Sequence, residues 1–230
     1  MQSELLIVIP AYNEEENIEN VVTYIRDNYA QYDYIVVNDG SRDRTAEICR
    51  GKGYELLDLP TNLGLAGAFQ AGLKYAYIKG YSYAIQFDAD GQHRPEFIQA
   101  MLDRMENGYD IVIGSRFLNY RKSKSLRMIG SKILTVAIKM TTKVRVSDPT
   151  SGMRMFSRSM IKEFAQNLNY GPEPDTVSYL LKNGAKVSEV QVKMEERQFG
   201  ESYLNLTGSA KYMIKMLVSI LLVQNFRKRG

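Results

Sequence analysis

One cysteine and one histidine in 230 residues narrow the chemistry before any motif is read. A lone thiol, Cys49, forms no internal disulfide and builds no multi-cysteine zinc site, and it fits a reducing compartment. A lone imidazole, His93, belongs to no His-rich metal centre and to no pair of catalytic histidines. No stretch reaches the roughly 18 apolar residues needed to cross a bilayer; the most apolar part of the tail, Met216 to Val223, falls well short. The N-terminus runs from Met1 into a strand-like stretch without a basic region or a cleavage site, so no signal peptide is expected. Acid is missing locally: residues 115–145 hold nine cations and no Asp or Glu.

What is present is an ordinary globular composition, 44% hydrophobic and 24% charged, which excludes disorder, collagen and a simple coiled coil. The length predicts one domain with a small appendage, a catalytic-type body over 1–205 and an amphipathic, basic helix over 206–230. Net charge is +4, unevenly spread: nine cations face eighteen acids in 1–114, while 203–230 carries five cations and no acid. Solvated faces normally mix both signs, so an acid-free basic segment predicts an anionic partner: a nucleic acid, a phosphorylated substrate or an anionic membrane.

Apolar runs of strand length recur at Leu5–Ile9, Tyr34–Val37, Tyr54–Leu57, Tyr83–Phe87 and Asp110–Ile113. Helical patterns lie between them, over Glu14–Tyr29, Arg44–Lys52, Leu65–Lys79 and Pro95–Glu106. Strand alternating with helix predicts a parallel, three-layer α/β sheet. After Gly114 the rhythm breaks into the basic segment, a helix near Leu126–Met140, a loop at Ser147–Arg154, a helix near Thr176–Lys182, a strand Lys186–Val192 and a helix from about Ser209 to Phe226.

Ligands of such sheets gather at the carboxyl ends of the strands, and every run here is followed there by polar residues. Asp88-Ala89-Asp90 is the strongest of these: at a turning strand end two carboxylates can face one divalent cation, with diphosphate oxygens completing its shell, as Mg²⁺ or Mn²⁺ prefers. Gln92 or His93 could approach the same ion; the competing reading is an Asx-turn that leads into the next helix. Other chemistries fail on spacing. Gly67 to Lys74 misses the P-loop, no G-x-G-x-x-G follows the first strand, and no G-x-S-x-G surrounds a serine.

The ordered set Pro10 to Glu15, Val37 to Asp43, Thr61 to Gly64, Asp88 to His93, Gly114 to Phe117 and Asp148 to Arg154 resembles the family 2 glycosyltransferases. The resemblance spans about residues 4–203 and is strongest to the polyprenyl-phosphate, dolichyl-phosphate mannose synthase-like branch. It implies a GT-A (Rossmann-like) three-layer sandwich with a mostly parallel central sheet. It also implies a nucleotide pocket from Pro10, Tyr12, Glu14 and Asp39, with Asp88 beside it. Asp88, Asp90 and Gln92 would hold Mg²⁺ or Mn²⁺ on a sugar nucleotide. Arg116 would contact phosphate, Arg127 and Ser131 the acceptor phosphate, and Arg197, Gly200 and Ser202 would belong to a loop closing over the donor. Asp90, Arg116 and Arg127 are the residues implied to be catalytic. Two positions depart from the pattern: Asn38 stands where many members are acidic, and Tyr203 stands where the branch usually has lysine.

The charge pattern bears on the acceptor independently. A phosphate monoester has a second pKa near 6, so at neutral pH its oxygen is already a nucleophile and needs cations, not a base. The segment with Arg116, Arg121, Lys122, Lys124, Arg127 and Lys132 supplies them, and arginine suits bidentate phosphate binding. A sugar-hydroxyl acceptor would instead need a base, for which Asp148, Glu173 and Asp175 are the candidates. That rival makes one of these three essential, whereas the lipid-phosphate reading makes Arg127→Ala the more damaging change. Ile133, Leu134, Ala137 and Ile138 form one helical stripe beside Lys132 and Lys139. In the tail Met213, Met216, Leu217, Ile220, Leu221 and Val223 precede Arg227-Lys228-Arg229. Both read as interfacial helices on an anionic membrane, against packing on the core or on a partner subunit. The expectation is therefore an inverting, metal-dependent transfer of a hexose or N-acetylhexosamine from a nucleotide sugar to a polyprenyl phosphate at the cytoplasmic membrane face. UDP-GlcNAc or UDP-glucose is favoured, with GDP-mannose behind. Branch members often carry transmembrane helices, which points to a small membrane-protein partner here. A non-catalytic regulatory subunit is disfavoured by the intact Asp88 and Asp90, and nucleic acid is not an expected partner.

Overall fold

The computed structural model describes residues 3–120, 126–167, 171, 173–195 and 206–224. Its first strand, β1 (Leu5–Ala11), is buried at all seven positions, as expected of a central parallel strand covered on both faces. Six further strands flank it: β2 (Asp33–Asn38), β3 (Leu56–Asp58), β4 (Tyr83–Gln86), β5 (Ile111–Ser115), β6 (Arg154–Ser157) and β7 (Val187–Gln191). They lie in the order β3-β2-β1-β4-β6-β5-β7. All neighbours are parallel except β6, which runs antiparallel to both β4 and β5.

Alternate residues of β1 feed two cores, because successive side chains of a strand point to opposite faces. Leu5, Ile7 and Ile9 belong to a core shared with α1 (Ile18–Asn28), α2 (Thr45–Gly51) and α4 (Ile98–Glu106, entered through a 3-10 turn at Pro95–Phe97). Leu6 and Val8 face α3 (Gly64–Lys79) in a core shared with α5 (Leu126–Thr142), α6 (Arg158–Gln166) and α7 (Pro174–Lys182). The last helix, α8 (Leu206–Val218), continued by a π-helical turn Ser219–Val223, lies on this second face, where Met216 and Ile220 are buried. Cys49 is buried in the first core, which pushes its thiol up to about 11 and keeps it protonated at neutral pH.

The expected alternation of strand and helix holds up to Gly114, with boundaries moved by a few residues. The sheet is mostly parallel, as expected, with β6 the antiparallel exception among the described strands: the loop expected up to Arg154 gives way at that residue to β6, four residues wedged between β4 and β5 and followed at once by α6. The stripe expected on α5 also divides. Leu134, Ala137 and Ile138 are buried in the core, whereas Ile133 joins Ile129, Val136 and Met140 in an exposed stripe at helical spacing. On α8 and its π-helical turn, Ile214, Val218 and Leu222 form a second exposed stripe. Among the described residues no helix is long and apolar enough to cross a membrane.

Candidate functional site

The loops after β1 and β2 are stitched into one rim. Asp39 donates its backbone N–H to the Ala11 carbonyl at 2.8 Å, Asn13 N–H to Ser41 Oγ at 3.0 Å, and Glu14 N–H to Thr45 Oγ1 at 2.9 Å. Asn13 sits at φ 55°, a left-handed position that asparagine tolerates, and its Oδ1 accepts the Arg42 N–H at 2.9 Å. Gly40 has φ 65°, and a Cβ there would fall 2.8 Å from Asn62 N, so only glycine lets this loop lie against the next one. Pro10 is buried at the end of β1, Tyr12 is half-buried on the rim, and the Glu14 carboxylate accepts from Asn17 Nδ2 at 2.7 Å.

Asp39 is 2% exposed, and its Oδ1 accepts the Leu63 N–H at 2.7 Å. Burial raises its carboxyl above the ordinary range, against the opposing backbone bonds from Leu63 and Gly64. Asn38 donates from Nδ2 to Asp58 Oδ1 at 2.6 Å, and Asp58 also pairs with Arg50. The amide at 38 is thus explained locally: an aspartate there would set two carboxylates against each other.

β4 ends two residues before Asp88. The Asp88 backbone N–H donates to His93 Nδ1 at 2.9 Å, and Gln86 Nε2 donates to Asp88 Oδ1 at 3.1 Å. With Nδ1 accepting, the ring proton lies on Nε2, 3.5 Å from Asp88 Oδ2. His93 is therefore a buried brace for the aspartate, wedged edge-on against Phe87. Gly152 closes the other side, since a Cβ on it would fall 2.9 Å from Asp88 Oδ2. Asp90, 8% exposed, accepts the Gln92 N–H at 3.0 Å in an Asx-turn. The side-chain amide of Gln92 donates to the Glu195 carbonyl at 3.5 Å. Among the described residues no three His, Cys, Asp or Glu side chains cluster as a complete metal shell. Two hard oxygen donors within three residues, one of them with a side chain 27% exposed, fit a Mg²⁺ or Mn²⁺ ion that takes its remaining ligands from a diphosphate and water.

Arg116 follows β5 and is forked onto Asp148, Nε to Oδ2 at 2.7 Å and Nη2 to Oδ1 at 2.9 Å, with Nη2 also 3.3 Å from Thr150 Oγ1. Asp148 is fully buried, while the Arg116 side chain is 31% exposed. Two residues that sequence reasoning missed frame this pair. The Glu189 carboxylate on β7 accepts the Ser147 and Asp148 N–H groups at 2.8 and 3.0 Å. Gln191, two residues on and so on the same face, donates to the Arg116 carbonyl at 3.2 Å and accepts the Asn119 N–H at 2.8 Å. The only trace of this in the sequence is two polar residues at alternate positions of a strand.

The other candidate bases also have structural partners. Glu173 accepts the Tyr212 hydroxyl, and burial, with that carboxylate beside it, pushes the phenol up. Asp175 accepts Ser219 Oγ at 2.6 Å and Gln224 Nε2 at 3.2 Å. Both acids dock the C-terminal helix onto α7. Ser131 is buried on α5 and lies 3.4 Å from Thr150 Oγ1, with Arg127 one turn earlier on the same helix. The side chain of Arg127 lies outside the described residues, as do Arg121, Lys122, Lys124, Arg197, Gly200, Ser202, Tyr203 and Arg227 to Arg229.

The sequence model of glycosyl transferase family 2 matches residues 6–164. The polyprenol monophosphomannose synthase of Mycolicibacterium smegmatis is 28% identical over 92% of this chain and 84% of its own length. A UDP-N-acetylglucosamine–dolichyl-phosphate N-acetylglucosaminyltransferase of Methanococcus voltae is 31% identical over 82% of this chain and 84% of its own. Among solved structures, glucosyl-3-phosphoglycerate synthase of Mycobacterium tuberculosis, in complex with Mn²⁺, UDP and phosphoglyceric acid, superposes with a TM-score of 0.72. It is 18% identical and is matched over 96% of this chain and 79% of its own, which makes the architecture here the GT-A fold.

Proposed function

The chain belongs to glycosyl transferase family 2, and on that premise we propose that it moves a sugar from a nucleotide sugar to a polyprenyl phosphate with inversion, at the cytoplasmic face of the membrane. One observation carries the choice of acceptor. Asp148, Glu173 and Asp175, the carboxylates a hydroxyl acceptor would call on, are each engaged in holding the fold together, by Arg116, by Tyr212, and by Ser219 with Gln224. A phosphate monoester needs no base.

The acceptor oxygen attacks the anomeric carbon, the bond from that carbon to the diphosphate breaks, and its electron pair leaves with the nucleotide; no proton has to move. Asp39 and the loop it pins at Leu63 receive the nucleoside, and Pro10, Tyr12 and Glu14 line the rim. Asp88 and Asp90 would hold Mg²⁺ or Mn²⁺, which when bound would neutralise charge on the departing diphosphate. Arg116 sits at the carboxyl end of β5, its side chain about a third exposed and so open to an incoming phosphoryl group. Arg127 and Ser131 offer the acceptor phosphate a cation and a hydroxyl from successive turns of α5. The named activities of the relatives support the lipid-phosphate acceptor, and UDP-GlcNAc or UDP-glucose is the donor we favour over GDP-mannose.

The test is turnover of radiolabelled UDP- and GDP-sugars with short-chain polyprenyl phosphate, in Mn²⁺ or in EDTA, with extraction into organic solvent. Metal-dependent label in the organic phase is the expected result, and the donor that gives it names the sugar. Label appearing only when membranes are added would assign a membrane-protein partner. No label under either condition would return the acceptor to a sugar hydroxyl.

The exposed stripes of α5 and α8 support the membrane surface. Ile129, Ile133, Val136 and Met140, and Ile214, Val218 and Leu222, stand among the exposed Lys132, Lys139, Lys211 and Lys215. In flotation with vesicles containing phosphatidylglycerol, the protein is expected to rise with the lipid and to be released by high salt. Ile133→Ser with Val136→Ser should weaken the partition at least tenfold, since burying each side chain is worth about 1.5–3 kcal/mol. Flotation unchanged by the double substitution would refute this surface.

A further inference from the structure

Arg154 is the first residue of β6, and because β6 is antiparallel it begins at the end of the sheet where β4 and β5 finish, beside Ile113 in register. It is 4% exposed. Its one described hydrogen bond runs from Nη2 to the Pro149 carbonyl at 2.7 Å, and its Nε is buried without a partner. Among the described residues it forms no ion pair. Arg116, by contrast, is neutralised by the bidentate Asp148.

A buried guanidinium whose one described partner is a carbonyl is expensive unless an anion completes it. The surroundings indicate which anion. Asp148, Pro149 and Thr150 form one short loop, and three groups converge on it: Arg116 on Asp148 and Thr150, Ser131 on Thr150, and Arg154 on Pro149. Glu173 and Asp175, whose charges act on Tyr212 together with that of Arg154, are engaged by Tyr212 and by Ser219 with Gln224. We propose that Arg154 is a phosphoryl-binding residue, its free Nε edge completed by a phosphate oxygen of a substrate. Naming that phosphate as the acceptor monoester or the donor diphosphate rests on the function proposed above; the anion subsite itself does not.

Arg154→Met separates the two. Methionine fills similar volume without charge, so the ligand-free variant should melt higher than the wild type, because an unpaired buried charge has been removed. The stabilisation that inorganic phosphate or pyrophosphate gives the wild type should be lost in it. In turnover, the KM for one substrate should rise at least tenfold: that of polyprenyl phosphate for the monoester, that of the sugar nucleotide for the diphosphate. A phosphate-induced shift of full wild-type size in Arg154→Met overturns the proposal. Should that variant not fold, Arg154→Lys keeps the charge and loses the fork; its phosphate binding is expected to weaken at least threefold, and binding at wild-type strength overturns the assignment. A wild type that binds phosphate through Arg154 yet never labels a lipid refutes the proposed acceptor and leaves the subsite standing.

Discussion

Asp90→Asn is expected to lower sugar transfer on the order of a thousandfold, about 4 kcal/mol of transition-state stabilisation, with little change in melting temperature. The separation of activity from stability follows from the local geometry. The Asp90 carboxylate accepts the Gln92 N–H across an Asx-turn, a bond that the carbonyl of an asparagine makes equally well, so the turn survives. What is lost is charge at the end of β4, and with it half of the carboxylate pair available to a divalent cation. Asp88→Asn should reduce transfer comparably but disturb the fold more. Its two oxygens face donors of different kinds, Gln86 Nε2 and the Nε2–H edge of His93, and an amide nitrogen cannot accept from either. Manganese titration followed by electron paramagnetic resonance, alongside turnover and calorimetry, checks this. Weakened Mn²⁺ binding with an unchanged melting temperature is the expected signature for Asp90→Asn; undiminished Mn²⁺ binding would exclude the pair as ligands.

The first half of the molecule could be read from the sequence because its signals are local. Leu5 to Ile9 is a continuous apolar run with turn residues after it, and that is what a central parallel strand requires. The end of β4 was legible for the same reason, two aspartates and a glycine following Tyr83 to Phe87. The second half was not, because its determinants lie far apart in sequence. β6 is four residues long and owes its place to β4 on one side and β5 on the other, so Met155 and Phe156 carry no period of their own. The stripe read on α5 joined residues of two faces, since Ile133 and Leu134 are adjacent in sequence and only packing decides that Leu134 is the buried one. Asp148 reads in the sequence as a candidate base or a turn residue, because its partner is 32 residues away and its frame, Glu189, is 41 away. Arg154 reads in the sequence as the end of a loop, because a buried cation without an ion pair among the described residues is defined by what does not surround it.

The Arg116–Asp148 pair carries the other large expectation, and it is asymmetric. Arg116→Ala leaves a fully buried carboxylate with the Thr150 hydroxyl and the Arg116 backbone N–H, and removal of one partner of a buried pair costs about 3–5 kcal/mol. For a chain of this size that corresponds to a fall in melting temperature of roughly 10 °C. Asp148→Asn should cost less, because the Arg116 side chain left behind is already about a third exposed and can turn to water, while the asparagine carbonyl keeps one of its bonds. Arg116→Met combined with Asp148→Asn should recover most of the stability lost by Arg116→Ala, since no buried charge remains. Activity should not recover with it. The double variant still lacks the cation at the end of β5, so a stable but nearly inactive protein would establish that Arg116 acts on phosphate as well as on Asp148. If transfer returned along with stability, Arg116 would be an anchor of the Asp148 loop and nothing more, and the phosphoryl group would depend on Arg127 and Arg154 alone. Calorimetry and turnover on the three variants distinguish the outcomes. The same set also bears on a hydroxyl acceptor, because a base at Asp148 predicts that Asp148→Asn alone, with its modest cost in stability, abolishes transfer entirely.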